Sequence, residues 1–378
     1  MAFFAVAVFR KFAGVVCIGF SAVYALSALT PFVNPVRFWP MTFLSLAFPL
    51  LLAGMIGVCL LSLLLFKKYS WLFFLVLACG YTNIHSVWGF HPGKSFTMEK
   101  PAGSIRIVSW NVNEFLNAAI AYDTPGNPRR QMLAFIQQSN ADILCFQDFA
   151  TATGKKFRSN LHYIRDSLHY PYTAFVNNFS FGIEGYDLQQ NGIVIFSRLP
   201  IVDSAVIPLP NPEHFKEDFQ WVTIQARQQQ FRLINAHLRS MNLHSSQAMP
   251  VESHFYKPDT TLFLQKSTFA KLRYFDKVHV AQAARISAVL DTTGLPFVFC
   301  GDLNAVPSSY VYHMLSSRLQ DAFLKTGFGL GGTYDSISPT LRIDVMLIRH
   351  PIQPLQHKTF PLHLSDHYPS ICDIWIKE

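Results

Sequence analysis

From Met41 to Phe66 the chain reads "MTFLSLAFPLLLAGMIGVCLLSLLLF", with no charged position and no polar face that recurs with a helical period. An apolar run longer than roughly 20 residues predicts a helix that crosses a bilayer. Two flanking runs predict further spans: Phe12 to Val33, which follows Arg10 and Lys11, and Trp71 to Phe90, which carries Asn83 and His85. A cleaved signal peptide is the alternative reading of the first run, and the length of the run together with the lack of a clear small-x-small site weighs against it. Beyond Phe90 the pattern changes. After the polar stretch "HPGKSFTMEKPAGS", short β-branched runs recur as "IRIVSWN", "DILCFQD", "GIVIFSR", "WVTIQA", "FRLINAHL", "PFVFCGDLN", "RIDVMLI" and "SICDIWI". Helical periodicity lies between them in "RRQMLAFIQQSN" and "KVHVAQAARISAVLDTTG". The pattern predicts a membrane region over 1–90, a linker over 91–103 and an α/β domain over 104–378, long enough to bury its own core.

Composition agrees with this division. Half of the 378 residues are hydrophobic and 14% are charged, too apolar for an ordinary soluble chain. The net charge of +8 suits anionic lipid, nucleic acid or a phosphorylated substrate and does not choose among them. Basic residues flank the predicted spans unequally: Arg10 and Lys11 before the first, Lys67 and Lys68 after the second, and Arg37 alone in the loop between. That places the N-terminus inside. Three spans then put the α/β domain on the extracytoplasmic face, whereas two would leave it in the cytoplasm. The six cysteines lack metal-type spacing and sit in apolar runs, which predicts buried small side chains.

Candidate chemistry lies where the predicted strands stop. Asn111 and Asn113, Gln147 and Asp148, His237, Asp302 and Asn304, Asp344, and Asp366 with His367 each interrupt an apolar run. Singly each has an ordinary explanation, such as a turn, a strand exit or a core histidine. Together they predict one cleft at an edge shared by several strands. Its acids and imidazoles are the residue types that general acid–base work and hard-cation binding need.

The stretches "SWNVN", "CFQD", "NGIVIFSR", "NAHLRS", "GDLNAVPSS", "GGTYDS", "RIDVMLI" and "SDHYP" resemble, in this order, the endonuclease/exonuclease/phosphatase superfamily, as a membrane-anchored bacterial-type member. The resemblance runs from about Ile105 to the C-terminus. It implies a four-layered α/β sandwich, two mixed β-sheets flanked by helices, here preceded by transmembrane helices. It also implies hydrolysis of phosphate esters with magnesium, or alternatively manganese. Carried over by position, Asn111, Asp148 and Asp366 would bind the metal. Asp302 would activate water, Asn304 would hold a phosphate oxygen, His237 would donate to the phosphoryl group, and Asp344 would fix His367. Asn191, Arg239 and Tyr334 are candidate substrate contacts. One position departs from the family pattern: Asp148 stands where a glutamate is usual, one methylene shorter. A membrane anchor favours a substrate related to lipid headgroups. A nuclease, or a phospholigand-binding protein without catalysis, are the alternatives, and no protein partner is implied. The stretch Met241 to Asp276 is expected to form a lid or a membrane-facing loop.

Overall fold

A computed structural model describes residues 2–115, 128–153, 159–183, 187–211, 216–240, 267–335 and 340–377. The Met241–Asp276 stretch therefore lies outside the described residues as far as position 266; its last ten residues open a helix.

The N-terminal region holds α1 (Ala2–Ser27), α2 (Pro40–Leu65), α3 (Ser70–Cys79) and α4 (Tyr81–Val87). Phe4–Ser27 and Pro40–Leu65 are long and apolar enough to cross a membrane. Phe12, Val15, Ile18, Leu50 and Leu64 all face outward from the bundle. Helices apolar all round and open on the outside suit a nonaqueous surround. One expectation is corrected here. The first helix starts ten residues sooner than predicted, so Arg10 and Lys11 lie within it; the guanidinium of Arg10 donates to the carbonyl of Leu65 (2.7 Å), satisfying the C-terminal end of α2. The third predicted span is a pair of helices bent by 58°. The bend falls at Gly80, where a Cβ would lie 2.0 Å from the Tyr24 hydroxyl; with glycine there, that hydroxyl reaches the Leu77 carbonyl (3.1 Å). The chain traverses the bundle three times: Arg10 and Lys67 mark one end, and Ser27, Thr42 and Asn83 gather near the other.

The α/β domain contains two six-stranded mixed sheets. The strands are β1 (Gly89–Phe90), β2 (Ile105–Asn111), β3 (Ile143–Thr153), β4 (Tyr172–Ile183), β5 (Asp187–Ser197), β6 (Ile201–Pro208), β7 (Asp218–Ala226), β8 (Gln229–His237), β9 (Phe297–Asp302), β10 (Gln320–Asp321), β11 (Phe328–Gly329), β12 (Asp344–Ile348), β13 (Ile352–Thr359) and β14 (Ser370–Ile376). The first sheet runs β13-β14-β2-β3-β5-β4 and the second β10-β12-β9-β8-β7-β6. Within them β2 and β3 pair in parallel, as do β8 and β9. Strand alternation explains the layers. Ile107 of β2 points into the core between the sheets with Ile143, Leu233, Val298 and Met346. Its neighbours Val108 and Trp110 point outward, under α5 (Pro128–Ser139), with Met132 and Ile136. On the far side, α6 (Ser267–Thr292) and α7 (Tyr310–Ser316) cover the second sheet through Ala283, Ile286 and Val311. The sequence expectation of a four-layered sandwich therefore holds. Cys145, Cys300 and Cys372 are buried between the sheets, as expected, while Cys79 is exposed on the bundle.

One residue holds the two sheets in register. Asn235 of β8 donates to the carbonyls of Phe146 (3.0 Å) and Val194 (3.1 Å) in the opposite sheet and accepts from Gln147 (2.7 Å). The bundle is tied to the domain as well. Ser308 donates to the Ser45 carbonyl (2.8 Å), and Thr30 donates to the Ser308 carbonyl (2.7 Å). β1 pairs with β11, and Arg342 bridges the Ser86 carbonyl and buried Asp321 (2.5 Å each).

Candidate active site

Register brings the site residues to one edge of the two sheets. Asn111, His237 and Asp302 end β2, β8 and β9, and the parallel pairing sets His237 beside Asp302. The others arrive by a route that differs from the expectation. Asp344 begins β12, opposite Asp302 in an antiparallel pair, and Asp366 and His367 precede β14, which is antiparallel to β2. Reversed strand direction brings starting ends to the edge where other strands finish.

Asp148 reaches the cleft through an irregularity. The register between β3 and β5 shifts between Phe146 and Phe149, and Asp148 adopts a left-handed φ of 45°. Such a bulge re-aims neighbouring side chains. Gln147 turns inward to Asn235, and Asp148 turns to the cleft, with its side chain 43% exposed. Asn304, also left-handed (φ 46°), donates its amide to the Leu238 carbonyl (2.9 Å), while its backbone N–H donates to Asp302 (2.9 Å). A strained backbone at two such positions is characteristic of a functional site.

The side chains form one connected network. The Asn111 amide nitrogen donates to Asp148 (3.2 Å) and Asp302 (3.1 Å), so it holds these carboxylates apart and turns its oxygen to the Asn113 N–H (3.0 Å). Asn113 in turn donates to Asp366 (3.0 Å). The ring of His237 lies between Asp148 (Nδ1 to Oδ1, 3.3 Å) and Asp302 (Nε2 to Oδ2, 3.5 Å). His367 donates through Nδ1 to Asp344 (2.9 Å) and turns Nε2 toward Asp302 (3.6 Å). The Trp110 indole fixes the His367 carbonyl (2.9 Å), and Tyr334 packs its ring against His367 (4.8 Å between centroids).

Charge follows geometry. Burial opposes protonation of both imidazoles, but adjacent carboxylates win: Asp148 and Asp302 push His237 up to about 9, and Asp344 and Asp302 push His367 up to about 10. Burial, reinforced by Asp344, raises Asp302 above the usual carboxylate range, against the pull of His367 and His237. Burial would also raise Asp148, but His237 and Asn111 bring it below that range.

Two candidate substrate contacts are held by partners. Asn191 is buried and donates its amide to Glu114; Arg239 pairs with Glu217 (2.8 Å), and its backbone is fixed by Gln282 (3.0 Å) and His279 (2.7 Å). Sequence reasoning missed Glu114, which follows "SWNVN" directly. Its only signal was a carboxylate beside a run of candidate residues.

The residues present fit a hard divalent cation. Asp148 and Asp366 offer carboxylate oxygens on the open side of the cleft, and oxygen donors suit magnesium. Ligand atoms of Asp302, Asp344 and His367 also lie within 4.8 Å of one another. In that trio His367 engages Oδ2 of Asp344, whereas Asp148 and Asp366 stand on the open side of the cleft. Asp344 Oδ1 and His237 Nε2 are among the buried polar atoms of the described residues with no hydrogen-bond partner.

A sequence profile of the Endonuclease/Exonuclease/phosphatase family matches residues 108–367, more than half of the chain. The chain belongs to this family. A second profile, Domain of unknown function (DUF8431), matches residues 10–87, the helical bundle. No curated protein matches. Among solved structures, an endonuclease/exonuclease/phosphatase from Beutenbergia cavernae is 20% identical, with 72% of each chain covered and a TM-score of 0.50. The human Nocturnin catalytic domain with bound sulfate anion is 18% identical, with 76% of this chain and 99% of that chain covered and a TM-score of 0.51. At such identities the likeness is one of fold. With the family membership and the acid–imidazole cleft, it supports a phosphoester hydrolase.

Proposed function

We propose that the protein is a membrane-anchored, magnesium-dependent phosphodiesterase or phosphatase whose substrates are lipid headgroups or related phosphorylated molecules. The observation that carries this reading is continuity between site and bundle. The loop that begins at Asp302 and Asn304 runs to Ser308, which is bonded to Thr30 and Ser45 of the helical region. Leu330, three residues before Thr333 and four before Tyr334, packs among the bundle helices. The cleft is thus joined to the end of the bundle where headgroups would lie.

In this reading Asp148 and Asp366, with Asn111 beside them, would hold the cation, which would supply charge neutralisation at the phosphate and the leaving oxygen. Asp302, raised by burial, orients a water molecule and takes its proton. Asn304 holds a nonbridging oxygen. His237 donates to the phosphoryl group through Nε2, whose hydrogen-bonding capacity is unused. His367, kept protonated by Asp344, supplies positive charge where negative charge builds. Tyr334 shapes the wall beside His367, and Arg239 flanks the mouth. The basic end of the bundle, at Arg10 and Lys67, lies opposite the catalytic domain, and three traversals separate them. Both support an extracytoplasmic catalytic domain.

The test is hydrolysis by full-length, detergent-purified protein of choline-type and inositol-type lipids in micelles, beside plasmid DNA, with magnesium or a chelator. Magnesium-dependent headgroup or phosphate release, reduced ~100-fold or more in Asp302→Ala and His367→Ala, is the expected result. Nicking of plasmid in place of lipid turnover would instead make the protein a nuclease, and binding without turnover would leave it a phospholigand-binding protein.

A further inference from the structure

We propose that Glu114, on the turn after β2, supplies a second carboxylate to the cation side of the cleft, covering the reach that Asp148 lacks. The inference rests on the metal-dependent reading of this site. It begins with the backbone. Asn113, Glu114 and Phe115 are all left-handed, with φ of 43°, 56° and 52°. The left-handed region is disfavoured for non-glycine residues, so three in a row persist only where the surroundings impose them. The surroundings do so at both ends. Asn113 is held by Asn111 (3.0 Å) and Asp366 (3.0 Å), and the buried Phe115 ring packs against Phe146 and Phe149 (6.4 and 5.8 Å between centroids). Glu114 is caught between these anchors.

Its carboxylate is then aimed by two buried amides. Asn191 donates to Oε1, and Gln189 reaches Oε2 at 3.5 Å, leaving the latter oxygen weakly engaged. Both donors lie on β5, opposite Ala150 and Ala152 of β3, the strand that carries Asp148. Asn191 Oδ1 has no partner, so this amide's hydrogen bonding is spent on Glu114. Strain and buried polar groups are thus committed to holding one carboxylate near another. Two carboxylates fixed close together repel each other, and a divalent cation shared between them would relieve that repulsion. The family glutamate reaches its cation from the β3 side. Here the β3 residue is shorter, and a longer acid stands on the turn after β2.

Binding of Mn2+ to the full-length, detergent-purified protein, followed by the electron paramagnetic resonance signal of free Mn2+, tests the assignment without relying on turnover. Glu114→Gln should weaken binding ~10-fold or more, as loss of a supporting ligand does, with thermal unfolding in chelator unchanged or raised. Glu114→Asp, which keeps the charge and loses the reach, should weaken it similarly. Asp148→Glu added to Glu114→Gln should recover most of the affinity. Native-like binding by Glu114→Gln or Glu114→Asp, or a double variant as weak as Glu114→Gln, overturns the proposal while leaving the hydrolase reading intact. If the unaltered protein takes up no Mn2+, both readings fall together.

Discussion

Individual residues carry two different kinds of work in this cleft, and Asn235 shows the one that is easily overlooked. It touches no candidate catalytic group, yet its amide links Phe146, Gln147 and Val194 across the two sheets. Asn235→Ala would strand two carbonyls and the Gln147 amide in a dry core. It should cost about 2–4 kcal/mol, read as a lowered midpoint in thermal unfolding, and should loosen the bulge that presents Asp148. An unchanged midpoint would mean that the sheets are registered by apolar packing alone. The polar residues of the cleft were legible in the sequence because each interrupts an apolar run. Glu114 was not, because its role depends on three consecutive left-handed residues that no local pattern announces. The positions of Asn191 and Arg239 in the sequence were equally legible, but their commitments to Glu114 and Glu217 arise from tertiary neighbours.

Among the secondary-structure elements, a physical regularity separates what the sequence revealed from what it hid. The eight predicted runs correspond to β2, β3, β5, β7, β8, β9, β12 and β14, which fill interior positions of the two sheets. Within these two sheets the strands left unpredicted, β4, β6, β10 and β13, are the four edges, and the short β1 and β11 pair apart from them. An edge strand such as β6, "IVDSAVIP", is exposed at alternate positions on one face and only half-buried on the other, so its hydrophobic period is faint. The seam between bundle and domain was likewise invisible, because it is built from backbone carbonyls and single polar side chains. Arg342 is central to it, buried with Asp321 and donating to the Ser86 carbonyl. Arg342→Met would leave Asp321 uncompensated and should cost about 3–5 kcal/mol, accompanied by faster proteolysis between Phe90 and Ser104. Asp276, in the third turn of α6, accepts from Thr42 of α2. Burial raises its carboxyl from 3.8 to about 6, so its contribution to stability is full below 3.8 and is lost as pH rises through 6. Asp276→Asn should therefore match the native protein in acid and melt higher above pH 6. Melting curves that coincide at every pH would show that the group titrates normally.

For the whole molecule, the division at about residue 90 and the four-layered sandwich follow from composition and strand alternation. The handedness of the assembly comes from structure: three traversals of the bundle carry the chain from the basic end at Arg10 and Lys67 to the catalytic domain at Ser86 and Ser308. A periplasm-active reporter fused after Phe90 should be active and a cytoplasm-active one silent; the reverse pattern would place the catalytic domain inside. The seam at Ser308 also has a kinetic meaning. Under the proposed lipid-directed reading, a catalyst fastened through the loop that bears its own reactive groups would not tumble and would meet its substrate in two dimensions. Its rate should follow the number of substrate molecules per unit of surface, rising as that surface is enriched and falling as inert amphiphile spreads it out, while the bulk concentration stays the same.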